Sequence, residues 1–167
     1  MVFYLVMTAV IAQRLTELII SKRNEKWLLE NGAVEYGKDH YKYIVIMHTL
    51  FFVSMITEYE IKGRYTEFNV INYLFLVFFL ILQIFRVLVI KSLGKYWNTK
   101  IFRIHGSAPV KTGPYRYIKH PNYIIVSCEI LILPLIFNLY YTAVIFSLLN
   151  AAMLSVRIKA ENEALKK

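Results

Sequence analysis

Residues 70–90 read VINYLFLVFFLILQIFRVLVI, and Arg86 is the one charged residue among them. An α-helix rises about 1.5 Å per residue, so a stretch of this length spans roughly 31 Å. The hydrocarbon core of a bilayer is about 30 Å thick. The stretch therefore predicts a transmembrane helix.

Four more apolar segments surround this stretch, and each is expected to be a helix. They cover residues 2–20, 43–57, 123–137 and 140–156. Because 57% of all residues are hydrophobic and the mean hydropathy is +0.46, we do not expect a simple soluble globule. We predict a single all-α membrane domain over residues 1–167, a polytopic bundle of about five transmembrane helices. Its parts are a three-helix region, 1–90, and a region 91–167 with a long loop, a helical hairpin and a polar helix end. The segments 43–57 and 123–137 are expected to be short helices.

Basic residues are distributed unevenly between the two sides of this bundle. Loops 21–42 and 91–122 and the tail after residue 156 carry 16 Lys and Arg side chains, with Lys166 and Lys167 among them. The opposite side carries Lys62 and Arg64. Because cytoplasmic loops are enriched in Lys and Arg, we expect the N-terminus outside and the C-terminus in the cytoplasm. The expected location is the cytoplasmic membrane of the cell.

The net charge of +9 raises the question of an anionic partner. Nucleic-acid-binding proteins concentrate their charge on a polar domain, whereas here basic residues alternate with apolar runs, so no nucleic-acid partner is expected. Anionic lipids at the cytoplasmic face are the expected partners of most of these lysines. Cys128 is the single cysteine, and no Cys/His spacing is typical of zinc, so no disulfide or metal site is expected. Nothing in the sequence specifies an oligomeric state.

Residues 113–123 read GPYRYIKHPNY and lie directly before the fourth apolar segment. The Gly-Pro that opens them is typical of a turn, and Pro121 suits the first turn of a helix. His120 and Tyr123 would then lie beside a helix N-terminus at the membrane surface, a place that favours an anionic or carboxylate group. An interfacial aromatic belt is the alternative interpretation.

A second polar group follows the last apolar segment. Asn150, Arg157 and Glu161 are separated by seven and four residues, so they share one helical face. The simplest interpretation of Arg157 and Glu161 is an i,i+4 ion pair on a solvated helix end, worth about 0.3 kcal/mol.

Taken together, these two groups resemble the isoprenylcysteine carboxyl methyltransferase family of integral membrane enzymes. The family pattern is Gly-x-Tyr-x-x-x-Arg-His-Pro-x-Tyr, then a helical hairpin, then Arg-x-x-x-Glu-Glu. It is carried here by Gly113, Tyr115, His120, Pro121, Tyr123, Arg157 and Glu161. Two positions differ, because Lys119 stands where the family has arginine and Asn162 stands where it has the second glutamate.

The resemblance implies a membrane enzyme that transfers a methyl group from S-adenosylmethionine in the cytoplasm to a lipophilic acceptor from the bilayer. The cofactor-binding residues that it implies are Val110, Tyr115, His120, Pro121, Asn122, Tyr123 and Glu161. It places Arg157 at the acceptor and gives catalytic roles to His120, Arg157 and Glu161. The acceptor is expected to be a long-chain alkylpyrone-type lipid or a prenylcysteine-like compound. A carboxylate acceptor needs only Arg157 to hold it, whereas a hydroxyl needs a base, for which His120 is the candidate.

Ionisable side chains also occur in or near the apolar segments, namely Arg14, Glu17, His48, Arg86 and Glu129. Such residues are costly inside a membrane and are often functional. Arg14 and Glu17 are expected to pair, and Arg14 and Arg86 to extend toward the inner membrane surface. Glu129 shares a helix side with Asn122 and is a candidate substrate-binding residue. A small transporter or ion path without catalysis is the alternative function.

Overall fold

The computed structural model describes residues 1–108 and 110–164. Within these residues it contains five α-helices: α1 Val2–Glu30, α2 Lys38–Ile61, α3 Val70–Leu93, α4 Pro121–Ile136 and α5 Tyr140–Ala164. All but α4 are long and apolar enough to cross a membrane, and α4 is a shorter apolar helix of 16 residues. The predicted all-α polytopic bundle is confirmed. The tail residues Lys166 and Lys167 lie outside the described residues.

Two helices run farther than hydropathy predicts. The first continues past Ile20 to Glu30, and α2 covers Lys38–Ile61 rather than 43–57, so the predicted shortness of α2 is wrong. The added residues include Lys, Arg, Glu and Leu, which form helices well in water too. The polar end of α1 therefore reaches the loop after α3, where the Asn24 amide donates to the Trp97 carbonyl at 2.7 Å.

A two-stranded antiparallel ribbon, which the sequence did not predict, joins the loops after α1 and α3. Strand β1 covers Ala33–Tyr36 and β2 covers Ile101–Ile104, with Ala33 opposite Ile104. Each strand has only four residues and begins with two apolar ones, so neither shows the alternation of apolar and polar residues by which a strand is recognised in a sequence. The ribbon fixes the long loop 94–120 against the loop between α1 and α2.

An aromatic cluster marks one end of the bundle. The ring of Phe3 stacks on Tyr59 with centroids 3.9 Å apart and meets Phe137 edge to face at 5.0 Å. Nearby, the Asn72 amide donates to the Ile136 carbonyl at 3.1 Å. These residues come from the starts of α1 and α3 and from the ends of α2 and α4, so successive helices run in opposite directions. The short connections therefore meet at this end, and both long basic loops lie at the other.

Between α1, α3 and α4 lies a buried ion cluster formed by Arg14, Glu17, Arg86 and Glu129. The Arg86 guanidinium donates to Glu17 at 2.5 Å and to Glu129 at 2.7 Å. Arg14 donates to Glu17 at 2.9 Å and to Glu129 at 2.7 Å. Two positive and two negative groups are thus matched within one contact network. The predicted pairing of Arg14 with Glu17 is confirmed.

The prediction that Arg86 extends toward the membrane surface is wrong. Its side chain is 6% exposed and directed at the two carboxylates of the cluster. A buried charge requires a charged, hydrogen-bonded partner, and Glu17 and Glu129 supply it on neighbouring helices. Arg14 remains partly exposed, at 22%, yet it too is held by both carboxylates.

Candidate active site

A cavity of about 500 Å³ opens at the end of the bundle where α4 begins and α5 ends. Residues from the loop before α4, from α4 and from α5 are among those that line it. The lining residues that were predicted from the sequence are Val110, Tyr115, His120, Asn122, Tyr123, Arg157 and Glu161. Small-molecule sites commonly enclose about 300–1,000 Å³. The structure therefore brings together, in a space of suitable size, two motifs that lie far apart in the sequence.

The loop before α4 is shaped by a short 3-10 turn over Gly113–Arg116. Pro121 occupies the first turn of α4, as the motif predicts, and His120 precedes it. Burial, together with the negative charge of Glu161, raises the pKa of Tyr115 above its ordinary value. A tyrosine hydroxyl is protonated at neutral pH even at its ordinary pKa of about 10, so Tyr115, which lines the cavity, can donate a hydrogen bond there.

Gly113 lets this turn approach α3 closely. Its φ is +53°, and a Cβ built on it would lie 2.1 Å from Ser92 Oγ and 3.2 Å from Ser92 Cβ. We expect Gly113→Ala to destabilise the fold because it adds both left-handed backbone strain, about 1–2 kcal/mol, and a clash. Thermal unfolding in detergent measures the loss.

Gly63→Ala is the matched control for this prediction. Gly63 has a φ of +78°, but a Cβ there would meet no atom within 4 Å. Both variants introduce backbone strain, but only Gly113→Ala also introduces a clash. We therefore expect Gly113→Ala to lower the free energy of unfolding by about 1 kcal/mol more than Gly63→Ala does, as is typical of overpacking. Equal losses would show that the turn does not depend on its contact with Ser92.

Tyr123 connects Arg157 to Glu161. Nε of Arg157 donates to the Tyr123 hydroxyl at 2.9 Å, and that hydroxyl donates to the Glu161 carboxylate. The His120 ring stacks on Tyr123 with centroids 5.2 Å apart, and its Nδ1 lies 3.4 Å from Glu161 Oε1. In the described part of the chain, this bridge takes the place of the direct ion pair between Arg157 and Glu161.

Arg157 lies at the junction of two spaces. Besides the cavity, it lines a narrow cleft bounded by Gly37, Tyr41 and Ile44 at the start of α2. Its Nη2 donates to the Thr99 carbonyl at 2.5 Å. The guanidinium is thus oriented by neutral oxygen atoms while it faces both spaces.

Two predicted site residues are absent from the described lining of the cavity. Pro121 is buried as the first residue of α4. Glu129 lies in the buried ion cluster, where two guanidinium groups already hold its carboxylate, and its substrate contact stays a prediction.

Asn150 shares the α5 face with Arg157, but it donates to Ser127 Oγ at 3.0 Å. Of the residues considered for an ion path, His48 contacts the Ile44 carbonyl at 2.8 Å.

Arg103 is a cavity residue that the sequence did not single out. It lies on β2 and lines the cavity, and its Nε is buried without a hydrogen-bond partner among the described residues. Asn122 Oδ1 is likewise buried and has no hydrogen-bond partner among the described residues. Arg103 is one of seven basic residues in loop 91–122, and only the pairing of β2 with β1 distinguishes it from the others.

A family model for isoprenylcysteine carboxyl methyltransferases matches residues 74–167. The chain belongs to this family. The similar proteins include YpbQ of Bacillus subtilis (strain 168), described as uncharacterized, which is 42% identical over 98% of this chain and 96% of its own length. An uncharacterized protein of Haemophilus influenzae is 29% identical over 93% of this chain and 90% of its own length. No solved structure matches the chain.

As a member of the isoprenylcysteine carboxyl methyltransferase family, the chain differs from the motif at two positions, and these positions touch. Lys119 Nζ donates to Asn162 Oδ1 at 2.6 Å, which ties the loop before α4 to the last turns of α5. The two positions that depart from the motif therefore meet in one contact between a charged group and an amide.

Proposed function

We propose that the protein is an S-adenosylmethionine-dependent O-methyltransferase that acts at the membrane on a carboxyl or hydroxyl group of a lipophilic acceptor. The observation that carries the proposal is the cavity that gathers Tyr115, His120, Tyr123, Arg157 and Glu161 at one end of an apolar bundle. Family membership supports methyl transfer. The long apolar helices support an acceptor that arrives from the bilayer.

The polar groups of the cavity suit S-adenosylmethionine, whose ribose hydroxyls and ammonium need acceptors and whose carboxylate needs donors. Glu161 supplies acceptor oxygens, and Tyr115 supplies a donor. The unpartnered atoms Arg103 Nε and Asn122 Oδ1 add one donor and one acceptor. Buried polar atoms are normally hydrogen-bonded, so a ligand that carries both kinds of group would satisfy them. The bound cofactor would supply a methyl group on a sulfonium. The acceptor oxygen would bond to this methyl group as its bond to sulfur breaks, and the thioether would be the leaving group.

The acceptor is proposed to meet Arg157. This side chain lines both the cavity and the narrow cleft at the start of α2. A guanidinium holds a carboxylate through parallel hydrogen bonds and thereby aligns one oxygen for in-line attack. For a hydroxyl acceptor, His120 is the candidate base, because its Nδ1 lies near Glu161 and its ring is held by Tyr123. Long-chain lipids with an acidic hydroxyl and prenylcysteine-like compounds both meet these requirements.

The cavity is proposed to face the cytoplasm from the cytoplasmic membrane. Both long basic loops lie at the cavity end of the bundle, and the opposite end carries Lys62 and Arg64. This asymmetry follows the positive-inside rule, and it would bring anionic lipids to the rim of the cavity. S-adenosylmethionine, a cytoplasmic metabolite, would then reach the site directly.

Calorimetric titration of S-adenosylhomocysteine into the detergent-purified protein tests the proposal. We expect binding to the wild-type protein, and we expect His120→Ala and Glu161→Gln each to weaken it about tenfold, the worth of a charge-assisted hydrogen bond. Glu163→Gln is the matched control, because Glu163 is an exposed carboxylate near the same end of α5. It should leave the affinity unchanged.

Failure of the folded wild-type protein to bind in both detergent and lipid nanodiscs would reject the methyltransferase. A transporter or ion path would then be the better hypothesis. Equal weakening by Glu163→Gln would show that the effect of Glu161 is a general effect of charge.

A further inference from the structure

Arg103 combines three properties that the other basic residues around the cavity lack in this combination. It lines the cavity, it is partly buried, and its Nε is a buried donor without a partner among the described residues. Strand β2 fixes its backbone, because Arg103 pairs in register with Val34 of β1. Hence the backbone from which this guanidinium extends is part of ordered structure at the wall of the cavity rather than of a free loop.

We infer that Arg103 binds the carboxylate of the cofactor's amino-acid group. The inference rests on the proposed function and assigns a residue to one chemical group of the ligand. A guanidinium matches a carboxylate with two parallel hydrogen bonds, and such pairs are stronger where water is partly excluded.

The remaining basic residues of the cavity are less suited to this role. Lys100 is paired with Glu25 at 2.7 Å and lies 3.8 Å from Glu35. Lys119 donates to Asn162, and Arg157 donates to Tyr123 and to the Thr99 carbonyl. The other two, Lys111 and Arg116, are exposed.

The charges of the residues that line the cavity also support a carboxylate-binding role for Arg103. Among the lining residues in the described ranges, Glu161 is the one acidic side chain, and it already accepts a hydrogen bond from Tyr123. The cofactor carries two positive groups and one carboxylate. Glu161 can serve a positive or hydroxyl group of the ligand but repels its carboxylate, which therefore requires a cation elsewhere on the wall. Arg103 is that cation.

Two ligands that differ only in the carboxylate test the inference, namely S-adenosylmethionine and its decarboxylated form. Their affinities are measured by displacement of tritiated S-adenosylhomocysteine, up to millimolar competitor. The wild-type protein should prefer S-adenosylmethionine about tenfold or more, as expected for a charge-assisted pair. In Arg103→Gln this preference should fall to about twofold or less, because the affinity for the carboxylate-bearing ligand alone declines. Arg103→Lys, which keeps the charge but not the planar fork, should give an intermediate preference.

Lys111→Gln is the matched control, since it removes one exposed cation from the same cavity. It should keep the wild-type preference. Equal weakening of both ligands by Arg103→Gln, at an unchanged melting temperature, would overturn the inference and make Arg103 a support of the cavity's shape. An unchanged preference in Arg103→Gln would overturn it as well. A wild-type protein that binds neither these ligands nor S-adenosylhomocysteine would instead reject the proposed function on which the inference depends.

Discussion

Arg86→Met is expected to lower the free energy of unfolding by about 3–5 kcal/mol, the usual cost of removing one partner from a buried ion pair. Arg86 contacts the carboxylates of both Glu17 and Glu129, and its side chain is 6% exposed. Without it, Arg14 alone would face two buried carboxylates. The cost arises from that uncompensated charge, since methionine itself fills much of the space. Denaturant unfolding of the purified protein in a fixed detergent measures the change.

Two further variants separate charge imbalance from loss of packing. Arg64→Met also breaks an ion pair, with Glu60 at 2.6 Å, but the Arg64 side chain is 70% exposed, so stability should change little. The double variant Arg86→Met/Glu17→Gln restores neutrality and should recover part of the stability lost in Arg86→Met. Similar stability of Arg86→Met and Arg64→Met would contradict the assignment of a structural role to the buried ion cluster.

The cluster also shows where hydropathy stops being informative. A single arginine near the end of a 21-residue apolar run predicts a side chain directed at the membrane surface. Its true partners are on α1 and α4, and the distance along the chain from Arg86 to Glu17 is 69 residues. Only the packing of three helices creates that contact. The helices themselves were predictable because each must satisfy its backbone hydrogen bonds internally in a lipid environment.

The candidate site also has a part that local sequence patterns predict and a part that depends on contacts between distant segments. The residues of α4 and α5 were predicted because they form local patterns, such as His120 with Tyr123 and Arg157 with Glu161. The hydrogen-bonded bridge through Tyr123 was not predicted, because it depends on how α4 packs against α5. Arg103 was missed for a related reason, since its position depends on the pairing of two four-residue strands. Sequence patterns indicate which residue types carry the chemistry, whereas long-range pairing decides which copies of them reach the cavity.

Arg157→Gln is expected to lower methyl transfer about 100-fold, the typical cost of losing a group that positions or stabilises a reacting oxygen. The measurement is the transfer of tritium from methyl-labelled S-adenosylmethionine into lipids extracted from the membranes of Bacillus subtilis. This organism is chosen because it contains the 42% identical relative. Cofactor affinity should fall much less than methyl transfer, because Tyr123 and Glu161 remain in place and keep their own hydrogen bond. A loss in transfer without a loss in cofactor binding would place Arg157 at the acceptor.

The matched control is Arg116→Gln, which removes an exposed cation from the rim of the same cavity. We expect its transfer rate to stay close to that of the wild-type protein, because an exposed charge is screened and touches no reacting atom.

Arg157→Lys separates the effect of charge from that of geometry, since lysine keeps the charge but cannot donate two parallel hydrogen bonds. If Arg157→Lys restores most of the transfer, attraction of an anionic acceptor is the main contribution of Arg157. If Arg157→Lys remains as impaired as Arg157→Gln, alignment of the acceptor oxygen dominates. A loss of cofactor binding in Arg157→Gln as large as the loss of transfer would contradict the acceptor role, because Arg157 would then act through Tyr123 on the cofactor side of the cavity.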